Sequence, residues 1–426
     1  MPNIVNNHVL IEPAVEPTVP SVASPLAPAT RVFIPLTTPF LYGMERAVIE
    51  LFDALRPGVE PYFLQSNRIF QRQPPIIQEM IRRGFSIQLL PDKTDWERLA
   101  KPRSLVHLCQ MVTATVRVNS AIFKGARGKD VLYIPSISAG AGSLLAAVLY
   151  RLTGRRVIHH FHDLGTSNHL FPLWIPLVTD FVHNTEFGFQ DIVKKLPAIK
   201  RKRNFIAPPI VEVAEWLPDD SEACQQLRER RNLIFVGQVS RHKGIDLLLE
   251  AFKPVAPRHP DVMLHLVGGY RDDFRRELDR EIAVAGLADR VRFWGFREDT
   301  TRLMRFAYVY VHPSPPSRCQ ESFGRSVVEA MAQGVPTVCF RSGALQEIVV
   351  CEKTGLLCDE SPDALGTAMD RFFCDVDLRN DCGRNARQRY QERYSPQVVR
   401  RRWAAFFQLP SIPSSRQRKT QASEFS

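Results

Sequence analysis

The stretch "CQESFGRSVVEAMAQG" (319–334) carries two glutamates, Glu321 and Glu329, that bracket seven residues. Glu329 lies among Val327, Val328, Ala330 and Met331, where a carboxylate costs stability unless something pairs with it. Carboxylates in such a place accept paired hydrogen bonds from vicinal diols, as in a ribose or a sugar ring. The surrounding pattern reads as strand "YVYVHPS" (308–314), loop, then a helix that starts near Gly324 and stops at Gly334, with Pro336 just beyond. Val327/Met331 and Val328/Ala332 at i,i+4 give that helix an inward face. The backbone N–H groups of Ser322, Phe323 and Gly324 at its start suit phosphate or sugar oxygens.

A second stretch, "LIFVGQVSRHKGIDLLLEAF" (233–252), reads as a strand, a loop with a glycine at each end, and an amphipathic helix. Glycines such as Gly237 let backbone approach a ligand, and the helix after them offers N–H groups to an anion. Arg241 and Lys243 add fixed positive charge at the strand end, and a pyrophosphate fits this arrangement. Taken alone, the stretch is equally an ordinary βα turn with solvent-facing basic residues.

The elements that must position these groups recur along the chain. Apolar runs "RVFIPL" (31–36), "DVLYIPS", "RVIHHFHD" and "DFVHNT" alternate with helical patterns such as "MERAVIELFDAL" (44–55). A basic, proline-containing connector, "KKLPAIKRKRNFIAPPIVEV" (194–213), interrupts the rhythm, which restarts at "NLIFVGQV" (232–239) and continues through "VMLHLVGG", "RVRFWGF", "YVYVHPS" and "VPTVCF". This alternation predicts two α/β domains with parallel sheets and a ligand cleft between them, over 31–205 and 206–394. Residues 1–30 and 409–426 are expected to be flexible tails, and "SPQVVRRRWAAFFQ" (395–408) an amphipathic helix.

Composition narrows the function classes. The 426 residues are 44% hydrophobic, as expected of a globular chain with two full cores. No stretch has the length of a membrane span, and the N-terminus lacks a signal-peptide pattern. Eight scattered cysteines without a CxxC pair suggest a reducing cytosol and argue against a zinc site or disulfide framework. A net charge of +11, with clusters at Lys194, Lys195, Lys200–Arg203 and Arg400–Arg402, fits an anionic substrate, an anionic membrane surface or a solvated face. Nucleic acid fits least, because no homeodomain, zinc-finger or RNP signature accompanies the charge.

"FVGQVSRHKGIDLLLEAF", "VRFWGF", "VHPSPPSRCQESFGRSVVEAMAQGVPTV" and "SGALQEIVVCEKTGLL" together resemble the donor half of retaining glycosyltransferases of family 4. "YGMERAVIELFDAL" (42–55) and "HHFHDLG" resemble that family's first-domain glycine loop and His-Asp segment more loosely. The resemblance implies the GT-B fold, two facing Rossmann-like domains, and a nucleoside-diphosphate sugar as co-substrate. No cofactor is expected, and no metal, because no DxD-like pair stands in the proposed site to hold a divalent ion. It implies that Glu329 binds the ribose, that Glu321 with the backbone of Ser322, Phe323 and Gly324 holds the donor sugar, and that Lys243 neutralises the departing diphosphate. Gly237, Gln238, Arg241 and Phe296 complete the implied donor set, with Tyr42 and Gly43 in the phosphate or acceptor loop and His162 near the sugar. Gln238 departs from the pattern: the family has an arginine there, and Arg241 is the nearest replacement for its charge. A sugar or lipid-linked acceptor, a cytoplasmic location and peripheral contact with an anionic membrane complete the expectation.

Other readings compete with parts of this one. Gly140-x-Gly142 after a strand, with Asp163 further on, outlines a dinucleotide fingerprint, but Leu145 occupies its third small position. "HHFH" resembles a metal cluster, yet strand alternation puts His160 and His162 on one face and His159 on the other, with no third and fourth ligand in view. Glu45 reads as capping or solvating its helix. A nucleotide-sugar 2-epimerase and a non-catalytic sugar-nucleotide-binding subunit are the alternatives to a transferase.

Overall fold

The computed structural model describes residues 29–36, 43–90, 105–125, 127–136, 142–164, 171–213, 230–297 and 299–409, with His8–Val9, Leu41, Ala139 and Leu227. By contacts the chain divides into two compact units. The first comprises Met1–Asn184, Phe189–Ile210 and Arg400–Ser426; the second comprises Thr185–Gly188 and Val211–Val399.

Among the described residues the first unit is built on strands β1 (His8–Val9), β2 (Thr30–Pro35), β3 (Val59–Ser66), β4 (Ser86–Leu90), β5 (Val131–Ile134), β6 (Arg156–Phe161), β7 (Asp180–His183) and β8 (Arg203–Ile206), in the order β1-β4-β3-β2-β5-β6-β7-β8. Strands β2 to β8 pair in parallel, while β1 runs antiparallel to β4. Helices cover such a sheet, so its strands are buried on both sides and read as unbroken apolar runs. All four residues of β5 are buried.

Two sequence expectations change here. The stretch 194–213 is more than a connector: it holds the turn Pro197–Arg201 and β8, which pairs with β7 from Asp180–Arg203 to His183–Ile206. As an edge strand, β8 keeps one side open and tolerates the charge that disguised it. His8 and Val9, within the stretch expected to be a flexible tail, join the opposite edge against Gln88 and Ile87.

The second unit contains β9 (Arg231–Val236), β10 (Val262–Val267), β11 (Val291–Gly295), β12 (Ala307–His312), β13 (Thr337–Phe340) and β14 (Gly355–Cys358), all parallel, in the order β11-β10-β9-β12-β13-β14. The chain reverses its direction of travel across the sheet between β9 and β12. Open α/β sheets bind ligands at the carboxyl ends of the strands flanking such a point. The loop after β9 carries Gly237 to Gly244, and the loop after β12 carries Pro313 to Gly324 with Glu321. The helix Pro396–Phe407 is the last described element, and Trp403 within it is fully buried, donating from its indole to the Pro208 carbonyl at 3.3 Å.

Candidate functional site

The two loops meet backbone to backbone. After β9 the chain makes a single turn, Arg241–Lys243, and enters the helix Ile245–Val255 through Gly244, whose φ is 72°. A Cβ on Gly244 would lie 2.0 Å from the carbonyl oxygen of Pro313 in the loop after β12, so no other residue fits without moving that loop. This contact brings Lys243 beside Glu321.

Glu321 is the centre of the site. Its Oε1 accepts from Lys243 Nζ at 2.6 Å, Ser314 Oγ at 2.7 Å and His312 Nε2 at 3.0 Å, with Cys319 Sγ at 3.9 Å. Among the described residues Oε2 accepts no protein donor, so one oxygen is saturated and the other is open to a ligand hydroxyl. Burial alone would raise the carboxyl pKa, but the hydrogen bond and charge of His312, followed by Lys243, bring it far below the usual carboxylate range. Burial works against the Lys243 ammonium, and the Glu321 carboxylate outweighs it, so its pKa rises above the ordinary lysine value. The pair is ionised together.

The loop carrying Glu321 is clamped from behind. Ala344 N–H donates to the Glu321 carbonyl at 2.8 Å, and Ser342 Oγ donates to the Cys319 carbonyl at 2.8 Å. A Cβ on Gly343 would stand 2.3 Å from that same Glu321 oxygen, which fixes glycine there. Thr185 Oγ1, from the short segment that belongs to the second unit, donates to the Ser322 carbonyl at 3.1 Å. Behind His312, the Tyr310 hydroxyl lies 3.1 Å from His312 Nδ1 and donates to Ser326 Oγ at 2.7 Å, tying the histidine to the next helix.

That helix, Arg325–Ala332, begins after Gly324 with no side chain capping its first N–H groups. Phe323 is only 3% exposed and packs edge-on against Tyr394, so it can reach a ligand only through its backbone. Glu329 is 6% exposed, and Arg325 one turn earlier pairs with it, Nε to Oε1 at 3.0 Å. Arg325 therefore answers the question of what compensates a carboxylate among valines. Among the described residues, Glu329 Oε2 accepts no protein hydrogen bond.

Other site candidates fall differently. Gly237 donates its N–H to the Val267 carbonyl at 2.9 Å, and Gln238 beside it is exposed. Arg241 ion-pairs with Glu277, lies 3.5 Å from Asp246 and stacks over Phe274, so its charge is already partnered. Phe296 is 73% exposed after β11. In the first unit Gly43 opens the helix Gly43–Ala54, while Tyr42 and Gly140 lie outside the described residues. Glu45 is 6% exposed, so it does not solvate its helix. His160 and His162 do share a face, their rings 3.9 Å apart, and His159 points into an aromatic cage of Phe161, Phe171, Trp174 and Phe181. Burial, then the neighbouring His159, lowers the His162 pKa to about 3, so its imidazole is neutral. The Gly142 carbonyl accepts from Asn119 at 3.0 Å. Sequence reasoning missed His312, Ser314, Arg325, Ser342, Gly343 and Thr185. A histidine closing "YVYVH", the serine two residues after it in the loop that carries Glu321, and an arginine four residues before Glu329 were readable signals; the contacts of Ser342, Gly343 and Thr185 join distant segments.

With this geometry in place, comparison with known proteins adds the class. Over 89% of the chain the fold superposes on 99% of Anabaena HepE, solved in complex with UDP, with a TM-score of 0.71 and 18% identity. The two parallel-sheet α/β units are those of a GT-B fold. Residues 220–389, the segment that contains the site, match the family model described as "Glycosyl transferases group 1". A D-inositol 3-phosphate glycosyltransferase of Corynebacterium jeikeium is 32% identical over 218 residues, 48% of this chain and 51% of that one. A mannosylfructose-phosphate synthase of Agrobacterium fabrum is 30% identical over 197 residues, covering 43% and 42%. The chain thus spans about half the length of these curated relatives. Among the described residues no helix is long and apolar enough to cross a membrane.

Proposed function

We propose that the protein is a retaining glycosyltransferase of family 4 that moves a hexosyl group from a nucleoside-diphosphate sugar to an acceptor hydroxyl on a glycan, a lipid-linked saccharide or a small molecule, without a metal ion. The observation that carries this reading is Glu321: one oxygen saturated by Lys243, His312 and Ser314, the other open, beside an uncapped helix start. The open oxygen of Glu321 accepts from a donor-sugar hydroxyl, and the open oxygen of Glu329 from the ribose. Phe296 offers an exposed ring to the base.

During transfer the bond from the anomeric carbon to the diphosphate oxygen breaks, and that oxygen keeps the electron pair. Lys243 and the N–H groups from Ser322 to Gly324 stabilise the charge as it develops, an effect worth several kcal/mol, roughly 3 for one such donor. The acceptor oxygen bonds to the anomeric carbon and its proton passes to the departing diphosphate or to solvent. The roles of Tyr42, Gly43 and His162 rest on the family resemblance alone.

Melting the protein with UDP or GDP in the presence of chelator, then assaying transfer from a panel of nucleotide sugars, tests the reading. A nucleoside diphosphate should raise Tm without added metal. Turnover that vanished with chelator and returned with manganese would sink the metal-free site. One observation favours a second reading, a sugar-nucleotide-binding subunit: Gln238 replaces the family's arginine and Arg241 is paired with Glu277. Nucleotide binding without turnover on any acceptor would support it.

A further inference from the structure

The helix Leu144–Leu152 is amphipathic in the wrong sense for a soluble protein. It buries Ala146, Ala147 and Tyr150 and turns Leu144, Leu145, Val148 and Leu152 outward, at 40%, 50%, 37% and 79% exposure. At about 100° per residue these four aliphatics fall within one arc of about 100°. The large residues that hydrophobic burial should draw inward face out, and the small ones face in.

The exposure extends to neighbouring elements. The helix Leu105–Gly125 buries Val118 and Ile122 while exposing Val112 (57%) and Val116 (50%), and Leu173 on the short helix Phe171–Trp174 is 69% exposed. All three helices seat their inner faces on one core, shared by Val118, Ile122, Ala146, Tyr150, Phe171 and Trp174, so they cover one side of the first sheet. Single exposed aliphatics are ordinary, but a contiguous group of them marks a surface that meets another apolar phase.

The charge at the border identifies the phase. Lys202, next to the basic turn Pro197–Arg201, donates from Nζ to the carbonyls of Pro176 and Val178 at 3.2 Å, just past Leu173. Burial and then the charge of Arg151 lower its pKa, which places Arg151, on the exposed helix itself, within electrostatic reach of Lys202. Among the described residues Arg151, Lys200 and Arg201 form no ion pair with a carboxylate. Aliphatics bordered by unneutralised cations match an anionic bilayer, where side chains enter the acyl boundary while Lys and Arg meet headgroup phosphates.

We propose that this face of the first unit, with Leu145, Leu152 and Leu173 as the inserting residues and Arg151, Lys200 and Arg201 as the headgroup contacts, docks the protein on an anionic lipid bilayer. The inference deepens the transferase reading by giving it a membrane-presented acceptor, yet it is measured without donor or acceptor. Loss of turnover therefore leaves it standing, and loss of vesicle binding leaves the transferase standing.

The test is vesicle flotation of the full chain on phosphatidylcholine with about one part in three phosphatidylglycerol, against phosphatidylcholine alone. The wild type should float with the anionic vesicles and stay behind with the neutral ones. L145S/L152S should weaken binding about tenfold even at low salt, and K200E/R201E about tenfold with a shallower salt dependence. Both variants should melt like the wild type and bind UDP equally well, which separates docking from misfolding. Binding to neither vesicle, or binding to anionic vesicles that survives both variants, would overturn the proposal. So would sedimentation showing a wild-type dimer that L145S/L152S converts to monomer, because the stripe would then belong to a second copy of the chain.

Discussion

His160 in the first unit and His312 in the second both stand near the carboxyl ends of parallel strands, β6 and β12, and both are buried. Their partners differ. His160 lies between the Tyr133 hydroxyl and the Asn184 amide, both neutral, with His162 stacked on it. His312 faces the Glu321 carboxylate, which also holds Lys243. The same side chain at an equivalent place thus belongs to an uncharged network in one unit and an ionised one in the other. The fold supplies the position, and the neighbouring residues decide whether charge is stored there.

The sharpest way to break this contrast is acid. Burial, followed by neighbouring histidines, lowers His159 to about 3 and His160 well below its ordinary value. Between those values and 6.5 the unfolded chain binds protons that the folded chain refuses, so stability falls as pH falls through this window. His162 is lowered to about 3 as well, so from pH 7 to pH 5 each of the three histidines should cost about 2 kcal/mol, or about 6 together. In the second unit burial and then Arg292 lower His265 to about 4, which should cost about 2 kcal/mol over the same range. Hydrogen exchange of peptides from each unit, corrected for intrinsic rates, should show first-unit peptides losing more protection at pH 5. Equal losses would remove the asymmetry.

A matched pair of glycines gives the next largest effect. Gly244 and Gly154 have nearly the same backbone, φ 72° and 71°, but a Cβ would strike Pro313 at the first and meet nothing within 4 Å at the second. Gly154→Ala should cost only the left-handed strain, about 1–2 kcal/mol. Gly244→Ala adds an overpacking term and should reach about 3–4 kcal/mol. Denaturant midpoints measure both, and similar losses would mean that the loops after β9 and β12 are not locked together.

Glu321→Gln tests the ionised network through chemistry. It should lower transfer about a hundredfold, with bare nucleoside-diphosphate affinity unchanged or improved, because Lys243 loses its resident carboxylate. A parallel fall in diphosphate affinity would contradict the roles given to the two residues. The smallest effect belongs to Glu329→Gln, which should weaken UDP and UDP-sugar alike by about tenfold, the lower end for a charge-assisted hydrogen bond. Calorimetric titration of both ligands decides it, after melting shows that the loss of the Arg325 pair has left the helix in place.

Strands β2, β5, β6 and β7 of the first unit fall where "RVFIPL", "DVLYIPS", "RVIHHFHD" and "DFVHNT" predict them, and the second unit was as legible. Its buried parallel strands read directly as apolar runs, and β9, β10, β12 and β13 fall where "NLIFVGQV", "VMLHLVGG", "YVYVHPS" and "VPTVCF" predict them. Strand β8 escaped notice because Arg203 and Asn204 make half of this four-residue edge strand polar. At the site, glutamates and glycines stood out by type, and the arginine partner of Glu329 was within reach of an i,i+4 reading. The clamp from Ser342, Gly343 and Ala344 and the Thr185 contact were not, because each depends on segments far apart in sequence meeting in space. Arg241, a cation well placed in sequence, meets Glu277, a partner supplied by the helix Asp272–Val284.

The contact between Lys243 and Glu321 also bears on how the reaction would end. At rest the ammonium already has a counter-ion 2.6 Å away, so an incoming anion must compete for it. Inorganic phosphate offers nothing in exchange, whereas a sugar diphosphate brings hydroxyls that engage the carboxylate while its phosphates take the lysine. Once the sugar has been transferred, the remaining diphosphate can no longer occupy Glu321, and the carboxylate reclaims its partner. On the proposed reaction, the resting ion pair makes the spent product a poorer ligand than the substrate, which favours its departure and discriminates against abundant small anions.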